Sequence, residues 1–259
     1  MIIDGKKIAE EIKNTLNGKG LKLAIVAVAP DEASKKFIER KIKFAEDIGA
    51  ETRFYELPQD ISTSQLRQKM AEISHIEQND GVILQLPLPA HIKTQYVLNG
   101  IIASKDVDVL SSRAFGDFAT GHSKILPPVV GAIKIIFEKY NIDVCGKNAV
   151  VVGAGKLVGM PASVWFINQS ATVSVVNEFT PDISKFTKEA DIIVSGAGKP
   201  GLIKPEMVKD GVIIIDAGSL VGDVDPKVAE KASFFTPVLG GIGPLTVAIV
   251  FKNLVGLNK

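Results

Sequence analysis

K-N-A-V-V-V-G-A-G-K-L-V-G-M-P, residues 147–161, is the stretch that decides the fold of this 259-residue chain. Its β-branched run at 149–152 predicts a buried parallel strand, which stops at the glycine turn 153–155. A helical pattern begins at Leu157 and carries a third glycine, Gly159. A strand, a glycine turn and a helix in this order present backbone N–H groups and a helix N-terminus to a pyrophosphate. The spacing G-x-G-x-x-x-G is one residue longer than the commonest dinucleotide fingerprint. The motif therefore indicates a dinucleotide site only in combination with other features of the sequence.

Two further strands predicted in the second half also end in glycine turns. The strand at 191–195 runs into G-A-G (196–198), and the strand at 212–216 is followed by Gly218-Ser219. Ligands of open α/β sheets bind beyond the carboxyl ends of the strands, where glycine lets the backbone come close. Residues 116–244 are therefore predicted to form a Rossmann-type, doubly wound parallel sheet. The predicted cofactor-binding residues are Gly153, Ala154, Gly155, Glu178, Gly198 and Ser219.

The first half alternates predicted strands and helices. Strands are predicted at 21–28, 51–57 and 81–85, with helices at 7–16, 34–48, 63–76 and 96–102. This alternation predicts a separate α/β domain over residues 1–115, completed by a C-terminal helix at 245–259. The glycines and the Pro-Pro pair within 113–128 favour a loose connection between the two domains. The fold class is thus two α/β domains, with an active-site cleft expected between them.

Composition argues against several classes of function. Lys and Arg number 30 against 29 Asp and Glu, which leaves no basic footprint for nucleic acid or an acidic membrane surface. The single cysteine cannot form an internal disulfide, and the three histidines are scattered, so no metal site is expected. The N-terminus does not resemble a signal peptide, and no apolar run approaches membrane-spanning length. We expect a soluble, cytoplasmic protein.

Lys41 is the first candidate for chemistry. It shares a helical stripe with Phe37, Phe44 and Ile48, so its ammonium should lie on a partly apolar face. Desolvation lowers the pKa of a lysine, which suits a group that transfers protons. The alternative is a lysine whose stem covers core residues while its ammonium reaches water.

Gln85 and Asp108 are the polar candidates nearest to strand ends. Gln85 ends the strand at 81–85, and Asp108 lies in the loop K-D-V-D, which should reach the same edge of the sheet. The alternatives are a capping amide for Gln85 and a solvated loop acid for Asp106 or Asp108.

Several segments in order resemble one known family over nearly the whole chain. They are I-I-D-G-K-K-I-A (2–9), A-S-K-K-F-I-E-R-K (33–41), L-Q-L-P-L-P (84–89), K-D-V-D (105–108), V-V-V-G-A-G-K-L-V-G-M-P (150–161), G-K-P-G (198–201) and T-P-V-L-G-G-I-G-P-L-T-V-A (236–248). Together they resemble the bifunctional methylenetetrahydrofolate dehydrogenase/cyclohydrolase family.

The resemblance implies two reactions of one-carbon metabolism, which feed purine biosynthesis. A hydride would pass from 5,10-methylenetetrahydrofolate to a nicotinamide cofactor, and water would convert the methenyl product to 10-formyltetrahydrofolate. Lys41 matches the proton-transfer group of the hydrolysis, Gln85 its hydrogen-bonding partner, and Asp108 the carboxylate that holds the pterin. The resemblance also implies a homodimer and a set of folate-binding residues: Phe37, Leu84, Pro237, Gly240 and Gly241.

The chain departs from the family pattern in its folate residues. Phe37 replaces the usual tyrosine, so any role of that hydroxyl in proton transfer is lost. Val109 replaces a glycine, and the usual P-G-G reads L-G-G at 239–241. Two alternatives therefore stay open: a dehydrogenase with weak or lost cyclohydrolase activity, and a non-catalytic nucleotide-binding protein.

The cofactor turn departs as well. Gly155 replaces a serine, and Glu178 follows the next strand, near where an acid reads the ribose 2′-OH of NAD. A carboxylate there would repel a 2′-phosphate by about 1–4 kcal/mol. The alternative is that Glu178 points into solvent while Lys156 or Lys185 contacts the phosphate. The resemblance implies NADP, whereas these residues favour NAD.

Overall fold

The computed structural model describes residues 1–258, which divide into two compact units. The five-stranded unit comprises Met1–Ala9 and Pro128–Thr246, and the three-stranded unit comprises Glu10–Pro127 and the segment from Val247 onward. The division falls at 127/128, whereas the sequence pattern predicts it at 115/116. The first residues join the five-stranded unit because Ile3 N donates to Phe235 O and Phe235 N donates to Met1 O, both at 2.9 Å.

The three-stranded unit is a parallel sheet with strand order β2-β1-β3. Its strands are β1 (Lys22–Val28), β2 (Glu51–Leu57) and β3 (Gly81–Leu84). Its helices are α2 (Glu32–Asp47), α3 (Thr63–His75), α4 (Thr94–Leu98) and α5 (Ser112–Ala119). Two helices span the division in sequence: α1 (Gly5–Lys13) and α9 (Ile242–Leu257).

The central strand β1 is buried on both faces, as its continuous apolar run predicts. Leu23 and Ile25 pack on one face in a cluster with residues of α2 and α9, including Phe251. Ala24 and Val26 pack on the other face, with Leu66 and other residues of α3. The three-stranded unit therefore has a core on each side of its sheet.

Helix α2 places Lys41 on its buried side. It begins after Asp31, whose side chain accepts a hydrogen bond from Ser34 N at 2.8 Å and caps the first turn. Its buried residues are Ser34, Ile38, Lys41 and Ala45, spaced three or four residues apart. Gly49 follows with a φ of 77°, a conformation that ends helices readily.

The predicted loose connection at 113–128 is wrong in its first part, because helix α5 occupies Ser112–Ala119. Ser111 caps this helix by accepting from Ala114 N, and Phe115 packs edge-on against Phe118 at 5.7 Å. The glycine within the segment suggested a loop, but the cap and the buried face stabilise a helix.

The five-stranded unit is a parallel sheet with strand order β5-β4-β6-β7-β8. Its strands are β4 (Asn148–Val152), β5 (Thr172–Val176), β6 (Ile192–Ser195), β7 (Ile213–Asp216) and β8 (Phe234–Thr236). Its helices are α6 (Pro128–Lys139), α7 (Gly159–Asn168) and α8 (Ser184–Thr187). The chain runs from β4 to β5 on one side and continues to β6 on the other, so the strand order reverses between β4 and β6. The predicted doubly wound sheet is confirmed.

Short 3-10 helices complete the fold, at Ala103–Lys105, Pro205–Met207 and Pro226–Glu230. Within residues 1–258, no helix is both long and apolar enough to span a membrane.

Candidate functional site

The ammonium of Lys41 is buried inside the three-stranded unit. Only 3% of the residue is exposed, and Nζ donates a hydrogen bond to Gln85 Oε1 at 3.1 Å. The alternative in which the ammonium reaches water is therefore wrong. A buried ammonium with an uncharged partner is costly unless the group gives up its proton easily.

Gln85 is held by its backbone and its amide nitrogen. It follows β3 directly, and its N–H donates to Val26 O at 2.8 Å. Its Nε2 donates to Leu86 O at 2.8 Å, which leaves Oε1 for Lys41. Gln85 thus contacts Lys41 and is not a helix cap.

Phe37 lies one helical turn before Lys41 and covers its ammonium with a ring. The Lys41 Nζ is 4.8 Å from the ring centroid, within the range of a cation–π contact. The ring supports the charged lysine without offering a proton donor or acceptor. The tyrosine hydroxyl of the family pattern has no counterpart here.

Opposing influences set the protonation of Lys41 and Asp108. Burial lowers the pKa of Lys41, and the charge of Asp108 counteracts part of that fall. Burial raises the pKa of Asp108 to about 6. The charge of Lys41 opposes this rise, and the charge of Asp106 adds to it. The pair therefore exchanges protons nearer to neutral pH than an ordinary lysine and aspartate do.

Asp106 fixes the turn that carries Asp108. It is fully buried, and its Oδ2 accepts from Leu110 N at 3.0 Å and from Ser111 N at 2.7 Å. Val109, which follows Asp108 in the turn, has a φ of 57°, a strained conformation for a β-branched side chain. Asp106 is therefore not a solvated loop acid. Asp108 is half-buried, and this burial raises its pKa.

Leu84 differs from the other folate residues expected in this unit. Its side chain is 2% exposed and belongs to the core cluster on the α3 face of the sheet. The structure brings Phe37, Lys41, Gln85 and Asp108 together, while the Leu84 side chain packs in the core.

The glycine turn after β4 has no room for a side chain at Gly153 or at Gly159, where the following helix begins. Gly153 has a φ of 96°, and a Cβ on it would lie 2.7 Å from Gly196 O. A Cβ on Gly159 would overlap Gly153 O, so the start of α7 packs directly on the turn. Gly155 is exposed and has open space around it. This bare cradle fits a pyrophosphate held by backbone groups.

The strand order places the three glycine turns along one edge. Because β4, β6 and β7 are adjacent and parallel, the turns at 153–155, 196–198 and 218–219 follow neighbouring carboxyl ends. Glu178 follows β5, the neighbour of β4 on the other side, and is exposed. The predicted cofactor residues thus share one edge of the five-stranded sheet.

The turn from Pro237 to Gly241 also belongs to the five-stranded unit. Gly241 N donates to Pro237 O at 3.0 Å, and a Cβ on Gly241 would lie 2.5 Å from that oxygen. Gly240 has a φ of 102°, and the start of α1 packs so closely that a Cβ on Gly5 would overlap Gly241 O. Both glycines are required by the local backbone.

Two buried carboxylates of this unit escaped the sequence analysis. Asp216 is 2% exposed at the end of β7, and Asp223 is fully buried in the following loop. Burial raises the pKa of Asp216, and the nearby Asp223 adds to the rise. No local pattern marks a loop acid as buried, although the position of Asp216 at a strand end was a usable signal. Among residues 1–258, no group of His, Cys, Asp and Glu could hold a metal ion.

Comparison with known proteins covers both units. Residues 3–108 match the catalytic domain model of the tetrahydrofolate dehydrogenase/cyclohydrolase family, and residues 127–259 match its NAD(P)-binding domain model. The chain is 41% identical over 271 residues to the Bifunctional protein FolD of Aquifex aeolicus, covering 98% of this chain and 93% of that protein.

Two solved structures are similar throughout. The bifunctional FolD enzyme of Campylobacter jejuni is 35% identical with a TM-score of 0.93, covering 100% of this chain and 98% of that one. The Trypanosoma brucei FolD, complexed with NADP cofactor and inhibitor, is 31% identical with a TM-score of 0.94, covering 99% and 96%. The buried lysine centre, the bare glycine cradle and these full-length matches agree: the chain belongs to the tetrahydrofolate dehydrogenase/cyclohydrolase family.

Proposed function

We propose that the protein oxidises 5,10-methylenetetrahydrofolate to 5,10-methenyltetrahydrofolate with NADP and then hydrolyses the product to 10-formyltetrahydrofolate. As a member of its family the chain is an enzyme, an oxidoreductase and hydrolase of one-carbon metabolism. The observation that carries the proposal is the buried Lys41 ammonium, hydrogen-bonded to the neutral Gln85 and coupled to Asp108. The non-catalytic alternative gives no reason to bury a lysine in this way.

In the dehydrogenase step the chain acts chiefly by positioning. NADP, when bound, supplies the acceptor for the hydride. Residues 154–155, where Gly155 has open space around it, and the segment leading into α7 would offer backbone groups to its pyrophosphate. Asp108, with a pKa of about 6, can accept hydrogen bonds from the N–H groups of a pterin and hold the ring. Orientation of this kind supplies a large part of the rate when two reactants must meet.

In the hydrolytic step Lys41 moves protons. As the oxygen of a water bonds to the methenyl carbon, neutral Lys41 takes one proton from that water. The C–N5 bond then breaks, N5 receives the proton from Lys41, and the remaining hydroxyl proton leaves to solvent as the formyl C=O forms. One proton is released overall. The lowered pKa of Lys41 increases the fraction of the neutral form that this role requires.

A coupled assay tests the proposal. The protein is mixed with methylenetetrahydrofolate and either NADP or NAD, and methenyl absorbance is followed as it forms and decays. We expect formation followed by enzyme-dependent decay. No methenyl formation with either dinucleotide would overturn the dehydrogenase, and formation without accelerated decay would overturn the bifunctional reading.

A dehydrogenase without efficient hydrolysis is the second candidate, favoured by Phe37. Its ring contacts Lys41 at 4.8 Å but has no hydroxyl. Supplying methenyltetrahydrofolate directly measures hydrolysis alone. If this candidate is correct, wild-type hydrolysis is weak and Phe37→Tyr raises it while the dehydrogenase rate stays the same.

NADP is the proposed cofactor, supported by the NAD(P)-binding domain of the family and by the relative from T. brucei that binds NADP. Gly155 and the exposed Glu178 keep NAD as the alternative. Lys156 and Lys185 are exposed on the same unit and are the candidate phosphate contacts. The relative KM values for NADP and NAD decide between the two.

We also propose a homodimer formed through strand β5. This strand ends the sheet, so one side of its backbone is unpaired, and Val175 on it is 46% exposed. Ile167 at the end of α7, a helix that packs on β5, is 60% exposed. Light scattering should give a dimer that Val175→Lys weakens. The matched control is Phe54→Lys, on the edge strand β2 of the other sheet.

The domain assignments and the cellular location remain proposals. Residues 1–115 with the C-terminal helix would bind folate, and residues 116–244 would bind the dinucleotide. Separate binding titrations of tetrahydrofolate and NADPH against variants in each unit test this division. Activity in the cytoplasmic fraction, with none on membranes, tests the location.

A further inference from the structure

We propose that Asp223 is a positioning residue for dinucleotide binding, because its carboxylate fixes the loop at 196–199 against the glycine turn after β4. The inference rests on the proposed function, since it assumes that this edge of the sheet receives the dinucleotide. The carboxylate of Asp223 binds Ser195 and the loop at 196–199, so its effect on dinucleotide binding is indirect.

The carboxylate of Asp223 is saturated by donors from the end of β6 and the loop that follows. Oδ2 accepts from Ser195 Oγ at 2.9 Å, from Ala197 N at 2.7 Å and from Gly198 N at 3.2 Å. Oδ1 accepts from Lys199 N at 2.8 Å. The residue is fully buried. A charged acceptor with several donors fixes a loop far more firmly than neutral bonds do.

The loop held by Asp223 is in direct contact with the glycine cradle. A Cβ on Gly153 would lie 2.7 Å from Gly196 O and 3.0 Å from the Ala197 Cα. A Cβ on Gly196 would lie 2.5 Å from the Val158 side chain, in the segment leading to α7. With so little free space, a shift of the loop must be passed to the cradle. This contact lies between β4 and β6, where the strand order reverses and where open α/β sheets bind their ligands.

Asp216 fixes Asp223 in turn. Its carboxylate accepts from Asp223 N at 3.3 Å, from Val224 N at 3.0 Å and from Gly218 N at 2.9 Å. The two acids therefore connect the turn after β7 with the loop after β6.

The hydrogen bonds of Asp223 also give the glycine turns after β4 and β6 different roles. The N–H groups of 197–199 already bind the Asp223 carboxylate, so they are not free for a phosphate. The N–H of Gly153 is likewise taken, because it donates to Val176 O at 2.8 Å. Anion binding is therefore assigned to residues 154–155 and the segment that leads into α7, and the loop at 196–199 shapes them. Among the cofactor residues predicted from sequence, Gly153 and Gly198 therefore shape the site, and Ala154 and Gly155 are the proposed contacts to the anion.

The test compares Asp223→Asn with Asp225→Asn, which removes the same charge two residues away. Asp225 only caps the 3-10 helix that follows, accepting from Lys227 N. The readouts are the dissociation constant of NADPH or NADH by fluorescence, the KM for the dinucleotide, hydrolysis of methenyltetrahydrofolate, and thermal melting. Hydrolysis consumes no dinucleotide, so it reports on the rest of the enzyme.

For Asp223→Asn we expect a dissociation constant raised about tenfold or more, since small displacements of a binding element cost this much. The hydrolysis rate and the KM for folate should stay near wild type, and Asp225→Asn should bind as the wild type does. Unchanged dinucleotide binding in Asp223→Asn would overturn the inference. Equal losses of binding and hydrolysis would also overturn it, because they indicate general loosening.

Two further results complete the test. If Asp223→Asn does not fold, Ser195→Ala removes a single donor from Oδ2 and should weaken dinucleotide binding severalfold; no change would overturn the inference. If the wild-type protein binds neither NADPH nor NADH, the proposed function fails, and the inference fails with it.

Discussion

The Nζ of Lys41 lies 3.1 Å from the Oε1 of Gln85, joining the buried side of helix α2 to the residue that follows strand β3. Gln85 stabilises the ammonium by a hydrogen bond without supplying a negative charge. Burial lowers the pKa of Lys41, and the charge of Asp108 opposes the fall. The first predictions concern this pair.

Replacing Lys41 with methionine should abolish hydrolysis and preserve the fold. Removing a general acid–base group costs about 10²–10⁴-fold in rate. Methionine fills a similar volume without a buried charge, so thermal melting should be unchanged or raised. Decay of added methenyltetrahydrofolate measures the rate. Lys43→Met, on the exposed side of α2, is the matched control. Hydrolysis at the wild-type rate in Lys41→Met would remove this lysine from the mechanism.

Changing Gln85 should shift the pH dependence of hydrolysis in a direction set by charge. Gln85→Glu places a carboxylate beside Lys41 and raises the pKa of the lysine, so the acidic limb of the rate profile should move to higher pH. Gln85→Met removes the acceptor without adding charge and should move the limb to lower pH. Rate profiles of the two variants check this. Shifts in the same direction would show that Gln85 does not tune Lys41.

Asp108→Asn should change the way stability depends on pH. Burial raises the pKa of Asp108 from 3.8 to about 6, so the folded protein holds a proton that the unfolded chain releases in this window. The stabilisation from protonated Asp108 is therefore complete below the pKa of the unfolded chain, and it is lost as the pH rises through the pKa of the folded protein. The difference in melting temperature, Asp108→Asn minus wild type, should therefore increase as the pH rises from 3.8 to about 6.

Melting curves from about pH 4 to about pH 7 measure that difference. Asp106, whose pKa is also raised by burial, is present in both proteins. The KM for folate should rise about tenfold or more in Asp108→Asn, as expected for a lost charged hydrogen-bond partner. A pH-independent difference in melting temperature would contradict the raised pKa.

Glu178→Arg should increase the use of NADP relative to NAD. Removing a repulsion of about 1 kcal/mol or more changes the ratio of kcat/KM values at least about fivefold. Glu189→Arg, an exposed acid elsewhere on the same unit, controls for the change in net charge. An unchanged ratio would place Glu178 away from the 2′ position of the ribose.

Much of the fold was predictable because it is encoded locally. The apolar runs of β1 and of β4 identify buried parallel strands, and the turns after them contain the glycines that the backbone requires. Errors arose where contacts between distant residues decide the outcome. Helix α5 was missed because its cap and buried face outweigh a glycine, and the N-terminal segment joined the five-stranded unit by pairing with β8.

In the candidate site, too, local features were predictable and contacts between distant residues were not. Residue types and spacing selected Lys41, Gln85 and Asp108, and they placed the glycine turns at strand ends. Spacing could not exclude a lysine that reaches water, nor could it show that the side chain of Leu84 lies in the core. Asp223 had no local signal, because its role depends on donors from a loop that follows a different strand.

The two α/β units, the glycines at the carboxyl ends of the strands and the groups available for chemistry can be identified from the sequence alone, because these features depend on periodicity and local backbone preference. The folded structure was needed to show that Lys41 is buried against a neutral amide, that Asp106 is fully buried, that Val109 is strained, and that Gly153 packs on the loop held by Asp223. Burial and pairing between residues far apart in the chain set the pKa of a group and the position of a loop, and neither is written in the local sequence.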